Sequence, residues 1–107
     1  MKKLGLFVLA GIVLVAVNVA AEDGAVIFES QRCGMCHKPD ISKTSPSLKE
    51  IAQAYHGKED HLVRYLKGEA DPVIDTGKAN MMKGALEKTK AFSDADRKAL
   101  ADFIMGH

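Results

Sequence analysis

Cys33 and Cys36 are the only cysteines in 107 residues, and they stand three positions apart with His37 directly after them. Few arrangements narrow a chain's options so far. A disulfide between them would close too small a loop to restrict the unfolded chain much, and so would contribute little stability. Zinc needs four donors, and His56, His61 and His107 lie at no familiar spacing that would complete the set. A thioredoxin-like redox pair follows a strand in a βαβ unit, and no run here alternates apolar and polar residues as a strand would. The pattern fits best a porphyrin attachment site, in which each thiol adds to one vinyl group and the adjacent imidazole lies under the iron.

The start of the chain indicates export, which places the two cysteines in an oxidising compartment. Met1-Lys2-Lys3 is a short positive segment, Leu4 to Val19 is apolar apart from Asn18, and Val19-Ala20-Ala21 ends in small residues. This is the layout of a secretory signal peptide over residues 1–21, which predicts a periplasmic protein with a mature domain over 22–107. An uncleaved anchor is the alternative, since the apolar run approaches the ~20 residues that cross a bilayer. The mature 86 residues carry thirteen basic and fourteen acidic side chains, a balance that points to neither nucleic acid nor an anionic membrane surface. A domain this small buries only ~60% of its unfolded surface, so a cofactor in the core would supply what the side chains cannot.

Along the mature chain the punctuation predicts helices only. A short one runs from Gly24 to Gln31 through Val26, Ile27 and Phe28, and ends at the cysteine pair. Pro39 to Pro46 reads as a surface loop. Ser47 caps a second helix with Leu48, Ile51, Ala52 and Tyr55 at helical spacing, stopped by Gly57. Lys58 to Lys67 forms a third, with Leu62, Tyr65 and Leu66 on one face and Gly68 at its end. Glu69 to Lys90 lacks sustained periodicity and contains Pro72, Gly77 and Gly84, so it reads as a long connection with at most one helical turn. Ser93-Asp94-Ala95-Asp96 opens the final helix, with Ala99, Leu100, Phe103 and Ile104 as its apolar stripe.

With those residues in view the chain resembles the small bacterial class I cytochromes c over nearly all of its mature length. The type from hyperthermophilic hydrogen-oxidising bacteria is especially similar in the runs Pro46 to Lys49, Ile51 to Tyr55 and Leu66 to Ala70. The resemblance implies an all-α fold of four to five short helices wrapped around one covalently bound haem c, the first and last helices crossing. Gly24 and Phe28 on the first helix and Leu100 and Phe103 on the last match the family's crossing residues. In the family a Gly-Pro pair follows the haem motif and the proline carbonyl accepts the proximal imidazole's proton; here the pair reads Ser45-Pro46, which assigns that carbonyl to Pro46 and the proximal iron ligand to His37.

For the distal ligand the residues alone leave Met81 and Met82 open, with His56 and His61 on or next to charged helix faces as outside choices, since Met35 is tied inside the attachment loop and Met105 sits with Phe103 and Ile104 as packing. The family's distal methionine is followed by Lys-Pro. Met82-Lys83-Gly84 matches it except at Gly84, so the resemblance assigns Met82, with Met81 as fallback. His/Met ligation closes the iron and implies a one-electron carrier rather than an enzyme. The competing classes are a haem enzyme or gas sensor with an open sixth position, and a thiol-disulfide oxidoreductase. The expected partners are exported or membrane-bound redox proteins, such as a cytochrome complex, an oxidase or a sulfur-oxidising enzyme, met transiently by a monomer. Lys78 to Lys90 holds four lysines against Glu87, a positive face suited to an acidic patch. With no tryptophan in the chain the sequence does not identify the partners of the haem propionates, and Tyr55, Asn80 and nearby lysines are only candidates.

Overall fold

A computed structural model describes residues 23–42, 45–74 and 76–107, with Lys78 through its backbone alone; the expected leader over 1–21 lies outside the described residues. Side-chain caps start three of the helices. The Asp23 carboxylate accepts from Ala25 N at 2.9 Å to open α1 (Gly24–Ser30), Ser47 Oγ accepts from Glu50 N at 3.1 Å to open α2 (Leu48–Ala54), and Ser93 Oγ accepts from Asp96 N at 3.1 Å to open α5 (Asp94–Met105). Each satisfies an amide that the helix cannot pair itself. Gly57 and Gly68, at φ +74° and +80°, turn the chain out of α2 and out of α3 (Glu59–Leu66) in the left-handed region where a side chain is penalised.

The last helix organises the rest, because α5 packs against α1, α2 and α3. Its contact with α1 depends on a missing side chain. A Cβ on Gly24 would lie 2.1 Å from Ala99 O and 2.8 Å from Phe103 Cβ, so the two backbones approach as only glycine allows. One turn further on, the rings of Phe28 and Phe103 meet with centroids 5.2 Å apart, tilted by 47°. The expected crossing therefore holds, with Ala99 and Phe103 taking the close contact while Leu100 and Ala101 are buried.

The stretch 69–90 departs from its expected form. The chain there winds into a 3₁₀ segment (Thr76–Met82) and then into two turns of α-helix, α4 (Lys83–Lys90). Periodicity missed α4 because the helix buries little: Thr89 is its one buried residue. Polar contacts hold its end instead. Thr89 Oγ1 donates to Leu66 O, the last carbonyl of α3, at 2.6 Å. The guanidinium of Arg97, 2% exposed, donates to Thr89 O (3.1 Å), Lys90 O (3.0 Å) and Phe92 O (2.7 Å), and to the Asp94 carboxylate (2.8 Å).

A pair of substitutions tests the two glycine environments. Gly24→Ala should destabilise the protein by about 1–3 kcal/mol through overpacking. Gly84→Ala, whose Cβ would meet nothing within 4 Å, should stabilise it by up to about 1 kcal/mol through helix propensity. Denaturant midpoints of the two holoproteins that shifted in the same direction would contradict the helix crossing described here.

Candidate functional site

Between α1 and the first loop the chain makes a tight turn that gathers the three motif side chains. Arg32 sits at φ 58°, a left-handed conformation uncommon for a residue with a side chain, and reverses the chain out of α1. A single 3₁₀ turn follows (Cys33–Met35). The Cys33 carbonyl accepts from Cys36 N at 3.2 Å and His37 N at 2.9 Å, which fixes the spacing of all three side chains through one acceptor. The turn rests on α1: a Cβ on Gly34 would lie 3.2 Å from Phe28 Cε1. No disulfide joins the two cysteines. Cys33 is half-buried, and burial pushes its thiol pKa up, against smaller lowering contributions from a backbone hydrogen bond and from the nearby charge of Lys88.

The orientation of His37 follows from one hydrogen bond. Its Nδ1 lies 2.8 Å from Pro46 O, the contact that the resemblance implies. A carbonyl only accepts, so Nδ1 must carry the proton, and a neutral ring then presents the lone pair of Nε2. Pro46 is itself well held. Leu48 N donates to Lys38 O at 2.8 Å and Lys49 N to Pro39 O at 3.1 Å, which pins both ends of the loop. The buried Ser47 cap sits directly after Pro46. Serine in place of the family's glycine at position 45 leaves this contact intact.

Cys33, Cys36, His37 and Pro46 all line one cavity, and so do Met81 and Met82 from the segment just before α4. The remaining wall is apolar, with Leu48 and Ile51 from α2, Leu66 from α3, and Leu100 and Ile104 from α5. Among the described residues, no Asp, Glu, Lys or Arg lines it. Met82 is half-buried, whereas Met81 is 66% exposed. Met35 is exposed and Met105 packs against the core, and neither lines the cavity. His56 is exposed, and His61 bonds through Nε2 to Asp71 O at 2.9 Å; both stay outside the lining.

Two features of the wall went unread at the sequence level. Tyr55, 1% exposed, accepts from Val73 N through its hydroxyl at 3.3 Å and so holds the turn whose Pro72 and Ile74 reach the cavity. Burial raises its phenol pKa. Asn80 is exposed and off the lining. Thr89 is the other feature, its side chain lining the cavity while its hydroxyl anchors α4. The signal for it lay in Arg97, a charge placed three, four and seven residues before Leu100, Ala101 and Ile104 on the apolar stripe of α5.

An uncharged apolar cavity with two thiols at one turn, an aromatic nitrogen aimed by its own hydrogen bond and thioethers from a second segment suits a large apolar group carrying a soft-ligand metal. The residues fit a haem. Comparison with known proteins points the same way. The chain is 33% identical over 86 residues to cytochrome c-552 of Nitrosomonas europaea, an alignment that covers 79% of each chain. It is 36% identical over 56 residues to cytochrome c-551 of Stutzerimonas stutzeri, covering 50% of this chain and 54% of that one. The sequence model of the cytochrome c family matches residues 21–107. The chain thus belongs to the cytochrome c family, as a small class I member with one covalently bound haem c and a role in electron transport.

Proposed function

We propose that the chain is exported, matures to residues 22–107, and carries its haem on Cys33 and Cys36 with His37 as proximal and Met82 as distal iron ligand, shuttling single electrons between respiratory redox proteins without turning over a substrate. The observation that carries this reading is the His37–Pro46 hydrogen bond, 2.8 Å long, which leaves Nε2 for a metal in a cavity whose other uncommitted soft donors are Met81 and Met82. The bound haem supplies a ferric/ferrous couple. The Pro46 carbonyl keeps His37 in one tautomer and strengthens it as a donor. Met82 is preferred over Met81 because it is the more enclosed of the two, and Met81 is the fallback.

The apolar wall keeps water from the metal and so favours the state of lower charge. No described helix is long and apolar enough to cross a membrane. Lys83, Lys88 and Lys90 are exposed. The charge of Lys88 is felt at Cys33, so positive potential lies beside the attachment turn. An acidic redox partner would be steered to this face, over an interface below ~1,200 Å².

The ligand set has a direct optical test. Met82→Ala should abolish the near-infrared methionine-to-iron band of the ferric protein and let the ferrous protein bind carbon monoxide, while Met81→Ala keeps the band. Ready carbon monoxide binding by the unaltered protein would favour a sensor or a haem enzyme instead.

Attachment is checked by mass. Purified protein should carry one haem beyond the mass of residues 22–107, and Cys33→Ser/Cys36→Ser should lose both that mass and most of the helical circular dichroism, because the haem completes the core. Steering has its own signature: electron-transfer rates with acidic partners should fall about tenfold from low to high salt, and Lys88→Glu should flatten that dependence.

A further inference from the structure

We propose that Arg97, acting with Thr89, is a positioning residue for the distal ligand: it holds α4 by its far end and so keeps the Met82 thioether seated on the iron. This rests on the reading of Met82 as that ligand. Met82 is the residue from which α4 departs, and no side chain caps that end of the helix. Eight residues of α-helix behave as a stiff rod, so the end that bears Met82 follows the end that bears Thr89, about 10 Å away. Apolar contact along the rod comes from Leu86, half-buried against the core, and Ala85, which lines the cavity, while Thr89 is its one buried residue.

What anchors the rod is polar. An α-helix leaves its last carbonyls without partners inside the helix, and Arg97 takes two of them, Thr89 O and Lys90 O, together with Phe92 O in the turn that follows. Thr89 in turn donates to the last carbonyl of α3. Arg97 is 2% exposed, so these carbonyls have little access to water as a substitute partner. The packing of α5 on α1, α2 and α3 does not run through α4. Loosening the clamp therefore frees Met82 while the crossing that builds the rest of the domain stays in place.

The consequence is a population of iron with its methionine detached, and any added ligand binds in proportion to that population. The test is a titration of ferric holoprotein with imidazole, followed by visible absorption, in Arg97→Met, Arg97→Lys, Thr89→Val, Met82→Ala and Ile27→Ala. Ile27 is buried in α1 and lies off the cavity, so Ile27→Ala is a control for general destabilisation. Arg97→Met should bind imidazole about tenfold more tightly than the unaltered protein, Thr89→Val a few-fold more tightly, and Arg97→Lys less tightly than Arg97→Met. Ile27→Ala should match the unaltered protein, although its denaturation midpoint is lower.

Should Arg97→Met not accumulate as holoprotein, Thr89→Val, which removes one hydroxyl and keeps the shape, decides the matter. If neither clamp variant binds imidazole more tightly than Ile27→Ala while Met82→Ala does, the clamp idea is overturned and Met82 remains the ligand. If Met82→Ala itself binds like the unaltered protein, the assignment of Met82 fails, and the positioning role falls with it.

Discussion

Eleven residues make up the buried hydrophobic core of the described chain, and all but Ile27 and Ala101 also line the cavity. The core is thus a wall around a space rather than a filled interior, and its stability depends on what occupies that space. Close-packed interiors gain from contacts on every side of each side chain. Leu48, Ile51, Leu100 and Ile104 each turn part of their surface to the cavity, where a flat apolar cofactor adds further contacts. The haem thus supplements the core of a small domain with no tryptophan and few aromatics.

The two faces of the cavity are secured by different means. On the proximal side a short-range turn does the work: Arg32 reverses the chain, the Cys33 carbonyl gathers the motif, and Pro46 aims His37. On the other side Met82 precedes a short helix whose far end has polar contacts to α3 and α5. In the proposed ligand set, a proximal ligand defined by covalent neighbours would tolerate little movement. A distal thioether held through that helix would be the adjustable one.

Surface charge contributes less to the fold than its visibility suggests. Lys98 joins Glu59 of α3, at 2.7 Å, and Asp102 of its own helix. The hydrogen bond to Asp102, followed by that to Glu59, raises the Lys98 pKa, and Lys98 in turn lowers that of Asp102. All three groups lie in or near solvent, so screening leaves the cluster a minor stabiliser. The buried Arg97 is the contrasting case, since three of its partners are the backbone carbonyls of Thr89, Lys90 and Phe92 and the fourth is the Asp94 carboxylate.

The amino-acid sequence by itself determined everything that is local in this protein. The Cys33-to-His37 motif, the Ser47 and Ser93 caps and the glycine stops at 57 and 68 act over a few residues of chain, so composition and spacing reveal them, whereas the role of Gly24 and Phe28 came from the family resemblance. Tertiary structure decided what depends on neighbours distant in sequence. It decided that 83–90 is helical, because the support comes from Leu66 and Arg97 rather than from an apolar stripe. It also decided that the Pro46 carbonyl reaches His37, and that of two adjacent methionines Met82 is the more enclosed. A side chain's burial and its partners arise only when separate segments meet, and no periodicity within one segment records that meeting.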